Sequence, residues 1–170
     1  CSMISLIEIS MMLLILSDMA LLGLSRLRTC INIVSFQGML LGVFTIIAHT
    51  QGVTPRLVLI AAANFILKGY VFPLLLRRGV REANALNEIE PYVGYIASIL
   101  AGLGMLGISL WLGSKLPFKP VIGIQFVVFA ALTTFLTGLF LIIARRSALM
   151  QCLGYIILEN GIYTIGIFLV

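Results

Sequence analysis

Polar residues interrupt this chain at only a few places and separate six long apolar segments. These segments cover residues 3–24, 29–49, 57–76, 92–113, 121–144 and 149–170. A helix needs about 20 apolar residues, each rising about 1.5 Å, to cross the hydrocarbon core of a bilayer. None of the segments alternates strictly between polar and apolar residues, as the strands of a membrane β-barrel do. The pattern therefore predicts an all-α, polytopic bundle of six transmembrane helices in a single membrane domain.

The composition supports the same prediction. Of the 170 residues, 61% are hydrophobic and only 10% are charged, whereas a soluble domain is nearer half apolar and a quarter charged. This excess of apolar side chains excludes a soluble enzyme, a nucleic-acid-binding module and a disordered tail. The net charge of +5 comes from basic residues that lie mainly between the apolar segments. We therefore expect the lipid bilayer, and not nucleic acid, as a partner.

The distribution of lysine and arginine predicts the orientation of the bundle, because cytoplasmic loops carry an excess of these residues. The turns after the first, third and fifth segments hold seven of them, and the turns on the other side hold three, Arg56, Lys115 and Lys119. The seven are Arg26, Arg28, Arg77, Arg78, Arg81, Arg145 and Arg146. We expect an integral membrane protein with this basic side in the cytoplasm and the N-terminus outside. Trp111, near the predicted outer end of the fourth helix, fits an interfacial anchor.

The chain has few residues that bind metals or cofactors. Its three cysteines, Cys1, Cys30 and Cys152, are far apart, and its single histidine is His49. An iron–sulfur cluster or a structural zinc ion needs about four such ligands. Nucleotide-binding glycine motifs and a Ser/His/Asp set are also missing. We predict that this chain carries no catalytic residue, metal or cofactor of its own, with the cysteines as small apolar residues and His49 at the membrane interface.

Ionisable residues inside the apolar segments are the best functional candidates, because a charge at the bilayer centre costs about 3 kcal/mol or more. Glu159 lies about 18 Å into the sixth segment from Arg146, close to the expected midplane. Asn160 follows it, and Tyr163 is one helical turn further on the same face. Glu159 is interpreted either as a proton-carrying carboxylate or as a neutral, hydrogen-bonded packing residue. If Lys68 does not lie close to it, a cation or water from another subunit must offset its desolvation.

Three further ionisable residues lie at other depths. Lys68 is about 12 Å from the predicted cytoplasmic end of the third helix, above a kink expected at Pro73. It either pairs inside the protein or extends toward the arginines at the helix end, and we predict that it faces protein. Asp18 is interpreted as a structural partner of Arg26 or Arg28, or as a proton-path residue. Glu8 is expected at the outer rim.

A weak internal repeat relates the two halves at an offset of 122 residues. Ser25, Leu27 and Cys30 match Ser147, Leu149 and Cys152, so the first two helices align with the last two in parallel orientation. Gln37 in the first half then corresponds in position to Glu159 in the second half. A glutamine keeps the hydrogen bonding of a glutamate but cannot carry its proton. The counterpart of the third helix would be a seventh helix beyond Val170.

The segment from Arg145 to Gly161, RRSALMQCLGYIILENG, carries a resemblance to a known family. A basic turn precedes a helix in which Gly154 and Glu159 have the family spacing, with Asn160 directly after the glutamate. This unit resembles the NuoK-type membrane subunit of respiratory complex I and the MrpC-type subunit of multisubunit cation/proton antiporters. The layout of the whole chain is most similar to hydrogenase-4 component E.

The resemblance implies a membrane-arm subunit of a complex-I-like [NiFe] hydrogenase or formate hydrogenlyase in a prokaryotic cell membrane. Its partners would be antiporter-like and quinone-subunit-like proteins, and it would carry no metal or flavin itself. It would contribute to proton or sodium movement coupled to redox chemistry elsewhere. The candidates for the proton path are Glu159, Lys68, Asp18, Tyr163 and Asn160. A purely structural subunit, an antiporter subunit and a stand-alone transporter remain as alternatives.

Overall fold

Six helices make up the part of the chain that the computed structural model describes, residues 2–24, 26–48, 55–82, 93–115 and 122–169. They are α1 (Ser2–Gly23), α2 (Leu27–Ala48), α3 (Pro55–Glu82), α4 (Tyr95–Lys115), α5 (Ile122–Ala144) and α6 (Ala148–Leu169). No β-strand occurs in these ranges. The prediction of an all-α bundle of six helices is therefore confirmed.

Within the described ranges, five helical segments are long and apolar enough to cross a membrane. They are Leu6–Gly23, Leu27–Ile47, Val58–Glu82, Tyr95–Lys115 and Gln125–Ala144. Large apolar side chains such as Leu59, Ile96 and Ile143 lie on the outside of the bundle and are more exposed than buried. In water such a surface would be unfavourable. The fold is that of a membrane helix bundle, and α6 is not among these five segments.

Helix α3 is longer than the sequence pattern predicted. Its apolar segment ends at residue 76, but the helix continues to Glu82. Arg78 Nε and Glu82 Oε1, one turn apart, lie 2.6 Å from each other and stabilise the added turns. The prediction was wrong here because a change from apolar to basic side chains ends a hydrophobic segment without ending a helix. As a result, the basic end of α3 is Glu82 rather than residue 76, and Lys68 lies further from that end than predicted.

A widened turn interrupts α3 where a kink was expected. Residues Leu67–Val71 form one π-helical turn between the α-helical parts Pro55–Ile66 and Phe72–Glu82. Pro73 has no N–H group to donate to the carbonyl of Gly69 four residues earlier. Ser35 of α2 donates to that carbonyl instead, with a distance of 2.6 Å from its Oγ. Lys68 is part of this turn, and such turns often occur at functional sites.

Glycines bring α5 and α6 into backbone contact. A β-carbon at Gly161 would lie 2.6 Å from Phe135 N and 2.8 Å from Ala131 O, both in the backbone of α5. A β-carbon at Gly154 would lie 2.9 Å from Gly138 O. Small residues at such positions let membrane helices approach closely and gain van der Waals contact. The pair α5–α6 is therefore the tightest unit of the bundle, and it fixes the position of Glu159 and Asn160 on α6.

The arginine-rich ends of three helices lie together at one end of the bundle. Arg145, directly after α5, donates through Nη2 to Leu22 O near the end of α1, at 3.1 Å. Near the end of α3, Gly79 lies next to Leu149 at the start of α6. The seven arginines used to predict orientation therefore share one end, which we call the basic end. That the basic end faces the cytoplasm stays a prediction, as does the internal repeat.

Candidate functional site

Buried polar residues form a layer across the middle of the bundle. One apolar cluster lies toward the basic end and includes Leu21, Leu22 and Leu153, and a second lies toward the opposite end and includes Met11, Leu14 and Ile167. In α1 the polar residues Ser17 and Asp18 lie between the two clusters, and other helices contribute residues at the corresponding level. We call this set the polar layer; all of its members are buried except Glu159, which is partly exposed. They are Asp18, Gln37, Lys68, Thr134, Glu159 and Asn160.

Lys68 is the cation of the polar layer and is only 3% exposed. Its Nζ lies 3.3 Å from Glu159 Oε1 and donates to Asn160 Oδ1 at 2.9 Å. The same Nζ lies 5.4 Å from the centre of the Tyr163 ring, within the range of a cation–π interaction. The prediction that Lys68 faces protein is confirmed. Extension toward the helix end is excluded because the ammonium group is bound by α6 in the middle of the bundle.

The local sequence explains how this cluster forms. Gly38 of α2 leaves room for Lys68, since a β-carbon at position 38 would lie 2.5 Å from the Lys68 Cβ. Consecutive positions on a helix point about 100° apart, so Glu159 and Asn160 can both reach the same ammonium group. The Glu159 side chain remains 46% exposed. Its carboxylate therefore has one side on Lys68 and the other side on the outer surface of this chain.

Tyr163 extends the cluster toward the end opposite the basic end. Its hydroxyl lies 2.9 Å from Thr45 Oγ1 of α2, and Thr45 donates to Leu41 O at 2.8 Å. Two buried atoms nearby, Asn160 Nδ2 and Asn64 Oδ1, have no hydrogen-bond partner among the described residues. The cluster thus combines an acid, a base and neutral hydroxyl and amide groups, with capacity for further hydrogen bonds. This is the donor and acceptor set that a proton-transfer site needs.

Asp18 belongs to a different part of the polar layer. It is fully buried, and its carboxylate accepts hydrogen bonds from Gln37 Nε2 at 2.8 Å and Thr134 Oγ1 at 2.6 Å. The expected structural pair with Arg26 or Arg28 was wrong, because both arginines are exposed at the basic end while Asp18 points inward. Asp18 therefore links α1 to α2 and α5 through neutral donors, and no contact in the described chain joins it directly to Lys68.

Asp18→Asn is expected to leave stability within about 0.5 kcal/mol of the wild type. The new amide can accept from Gln37 and donate to Thr134, whose hydroxyl already lies 3.0 Å from Ala130 O and can donate there. Asp18→Leu should instead cost about 1–3 kcal/mol, because Gln37 and Thr134 both lose an acceptor inside the bundle and Gln37 Nε2 keeps only Ser17 Oγ, at 2.7 Å. Unfolding of the two purified variants in detergent measures the difference. Equal destabilisation by both would show that the hydrogen bonds of this network are not what Asp18 contributes.

The remaining sequence candidates lie away from the polar layer. Glu8 is half-buried near the start of α1, and Trp111 is exposed four residues before the end of α4. Cys30 is buried and Cys152 is exposed, while Cys1 and His49 lie outside the described residues. Among the described residues, no three histidines, cysteines or carboxylates are grouped as metal ligands would be.

Sequence reasoning missed the burial of Arg145 and the buried hydroxyls of Thr134 and Thr45. Arg145 was counted only as a cytoplasmic charge, yet it is fully buried, caps the end of α1 and lies 5.5 Å from the Tyr95 ring. Thr134 gave no sequence signal, because a threonine in an apolar helix usually bonds to its own backbone. Gln37 was singled out as the counterpart of Glu159 but not as a partner of Asp18. Only the packing of α1 against α2 and α5 reveals that role.

Comparisons with known proteins give one distant relative. The chain is 27% identical over 157 residues to the uncharacterized protein Rv0085 of Mycobacterium tuberculosis, a match that covers 88% of this chain and 68% of the relative. No protein-family model matches the chain, and no solved structure matches it. The fold and composition therefore define a class, the all-α helix bundle of a membrane protein. The relative's name adds no activity to that class.

Proposed function

We propose that this chain is a membrane-arm subunit of a complex-I-like [NiFe] hydrogenase or formate hydrogenlyase in a prokaryotic cell membrane. In this proposal it contributes to proton or sodium movement that is coupled to redox chemistry in other subunits. The observation that carries the proposal is the contact between Lys68 and Glu159 in the middle of the bundle. The resemblance of the α6 motif to the NuoK-type subunit supplies the kind of complex.

The chemistry of the contact supports ion transfer. A carboxylate and an ammonium group at 3.3 Å form a pair in which a proton can be exchanged, and each group stabilises the charge of the other. Asn160 holds the ammonium group through its side-chain oxygen. Charges are costly to hold inside a membrane, so a small change in the surroundings of the pair alters the stability of the contact. Redox-driven movement of a neighbouring subunit is such a change.

Exposure of Glu159 supports a role inside a larger assembly. Nearly half of its side chain is on the outer surface of this chain, at the depth where a carboxylate in contact with lipid is costly. A neighbouring subunit or a water-filled cavity at its boundary would remove that cost. The chain would then provide one wall of the ion path, and its partner would provide the other.

Purification of the chain in mild detergent with its partners tests the proposed assembly. We expect a [NiFe] large subunit together with antiporter-like and quinone-subunit-like membrane proteins, identified by mass spectrometry. A set that holds only cation/proton antiporter subunits would transfer the assignment to that second class of complex. Purification as a monomer that transports ions by itself would contradict both assignments.

A structural role is the second candidate, and one observation favours it. Lys68 is held by a charged and a neutral acceptor on α6, which is also what a buried lysine that only joins α3 to α6 would require. In that case the ionisation of Glu159 would be irrelevant to ion movement. Substitution of Glu159 by a residue of equal size separates the two candidates.

A further inference from the structure

A cavity at the basic end of the bundle is not used by the proposed ion path. It has a volume of about 940 Å³ and lies between α2 and α3. Four arginines line it, Arg28 from α2 and Arg77, Arg78 and Arg81 from α3. Its volume is within the range of about 300–1,000 Å³ that is typical of small-molecule sites. The cavity is therefore large enough for a molecule rather than for a single ion.

The arginines of this cavity are only partly compensated. Arg78 pairs with Glu82, and Arg77 donates through Nη2 to the neutral Asn32 Oδ1 at 2.6 Å. Among the described residues, no acidic side chain pairs with Arg28 or Arg81. The cavity therefore keeps about three positive charges that repel one another and exclude cations. An anion with several oxygen atoms fits this arrangement, because guanidinium groups bind phosphate oxygens in pairs.

One part of the cavity wall, away from the arginines, is apolar and open to the outside of the bundle. Tyr70 and Leu74 line it, and 68% and 51% of their surfaces are exposed. Both lie on α3 toward the membrane interior from Arg77, so apolar surface begins where the charged surface ends. A soluble anion such as phosphate would gain nothing from this surface. A phospholipid would place its phosphate among the arginines and an acyl chain along Tyr70 and Leu74.

From these observations we propose that the cavity between α2 and α3 binds the phosphate headgroup of an anionic phospholipid. Basic pockets between membrane helices on the cytoplasmic side commonly bind such headgroups. The headgroup would neutralise the arginines at the ends of α2 and α3 and would tie the two helices together through a shared ligand. The site is separate from Glu159 and does not depend on the proposed redox complex.

Replacement of two arginines, Arg77→Gln together with Arg81→Gln, tests the site. Each arginine near an anionic headgroup contributes about a fivefold factor in affinity, so the pair should weaken binding of phosphatidylglycerol roughly 25-fold. The matched control is Arg56→Gln together with Lys115→Gln, which removes two charges from exposed positions at the opposite end. The binding of lipid by the wild type and by the two double variants is measured by native mass spectrometry. The purified protein with its partners is titrated with phosphatidylglycerol or phosphatidylcholine.

We expect retained phosphatidylglycerol in the wild type and the control, little in the arginine variant and little phosphatidylcholine in any of the three. Displacement of the lipid by an equal concentration of inorganic phosphate would show a free anion site and would overturn the lipid assignment. Equal lipid binding by the arginine variant and the control would overturn the site itself. Loss of a partner subunit from the arginine variant, with lipid binding unchanged, would assign the arginines to an acidic protein segment instead.

Discussion

Glu159→Gln is expected to reduce ion translocation per redox turnover by about tenfold or more while the assembled complex is recovered in normal amounts. Glutamine keeps the size of the side chain and an oxygen that can accept from Lys68, which lies 3.3 Å from the present carboxylate. An amide neither binds nor releases a proton in the accessible pH range. The change therefore removes proton exchange and leaves the packing of α3 against α6. Proton uptake by reconstituted vesicles, measured beside redox turnover, reports the coupling.

The control for this prediction is Glu8→Gln, which also exchanges one carboxyl group for an amide. Glu8 is half-buried near the start of α1 and has no part in the contacts of Lys68. Its replacement should leave coupling unchanged. If Glu159→Gln also retained full coupling with normal subunit content, the ion-path proposal would fail and the structural role would be the better assignment.

Lys68→Met, alone and combined with Glu159→Gln, tests whether Lys68 and Glu159 act together in ion translocation or act independently. Methionine fills similar space without charge, so assembly should persist, and Glu159 should lose the cation at 3.3 Å with which it can exchange a proton. Because the pair acts as a unit, the double variant should lose no more coupling than either single variant. Additive losses would mean that Lys68 and Glu159 act separately.

Gly161→Ala is expected to destabilise the bundle by about 1–3 kcal/mol or more. The new methyl group would meet the backbone of α5 at 2.6 Å from Phe135 N, and backbone atoms cannot move aside as a flexible side chain can. The helices α5 and α6 must then separate, which displaces Glu159 and Asn160 from Lys68. Gly138→Ala should act in the same way, because a β-carbon there would meet Leu158 N and would lie 2.7 Å from Gly154 O.

Gly107→Ala is the matched control on α4, where a β-carbon would have no atom within 4 Å. Alanine is the better helix former by about 1 kcal/mol, so this variant should be as stable as the wild type or slightly more stable. Unfolding of the three variants in detergent gives the comparison. Equal stability of Gly161→Ala and Gly107→Ala would contradict the close approach of α5 and α6.

The sequence alone determined the six helices and marked Lys68 and Glu159 as unusual. Both follow from the bilayer: a spanning helix must be long and apolar, and an ionisable residue inside it is costly enough to stand out. The motif on the sixth segment likewise drew attention to Asn160, and the spacing of one helical turn from Glu159 drew attention to Tyr163. These conclusions depend on single residues and their neighbours along the chain, which the sequence contains.

Tertiary packing decided which of these residues meet. Lys68 and Asn160 are 92 positions apart in the sequence, and yet they form a hydrogen bond. The bond forms because Gly38 lets α3 approach α2 closely and because the glycines of α6 let α5 approach α6 closely. The same packing gave Asp18 an amide and a hydroxyl as partners rather than an arginine, and it buried Arg145 against α1. Helix rotation and close approach set these contacts, and both depend on side chains from several helices at once. The sequence of one hydrophobic segment is enough to predict how far its helix extends in the membrane. It is not enough to predict the direction in which the polar residue of that helix points, because neighbouring helices set that direction.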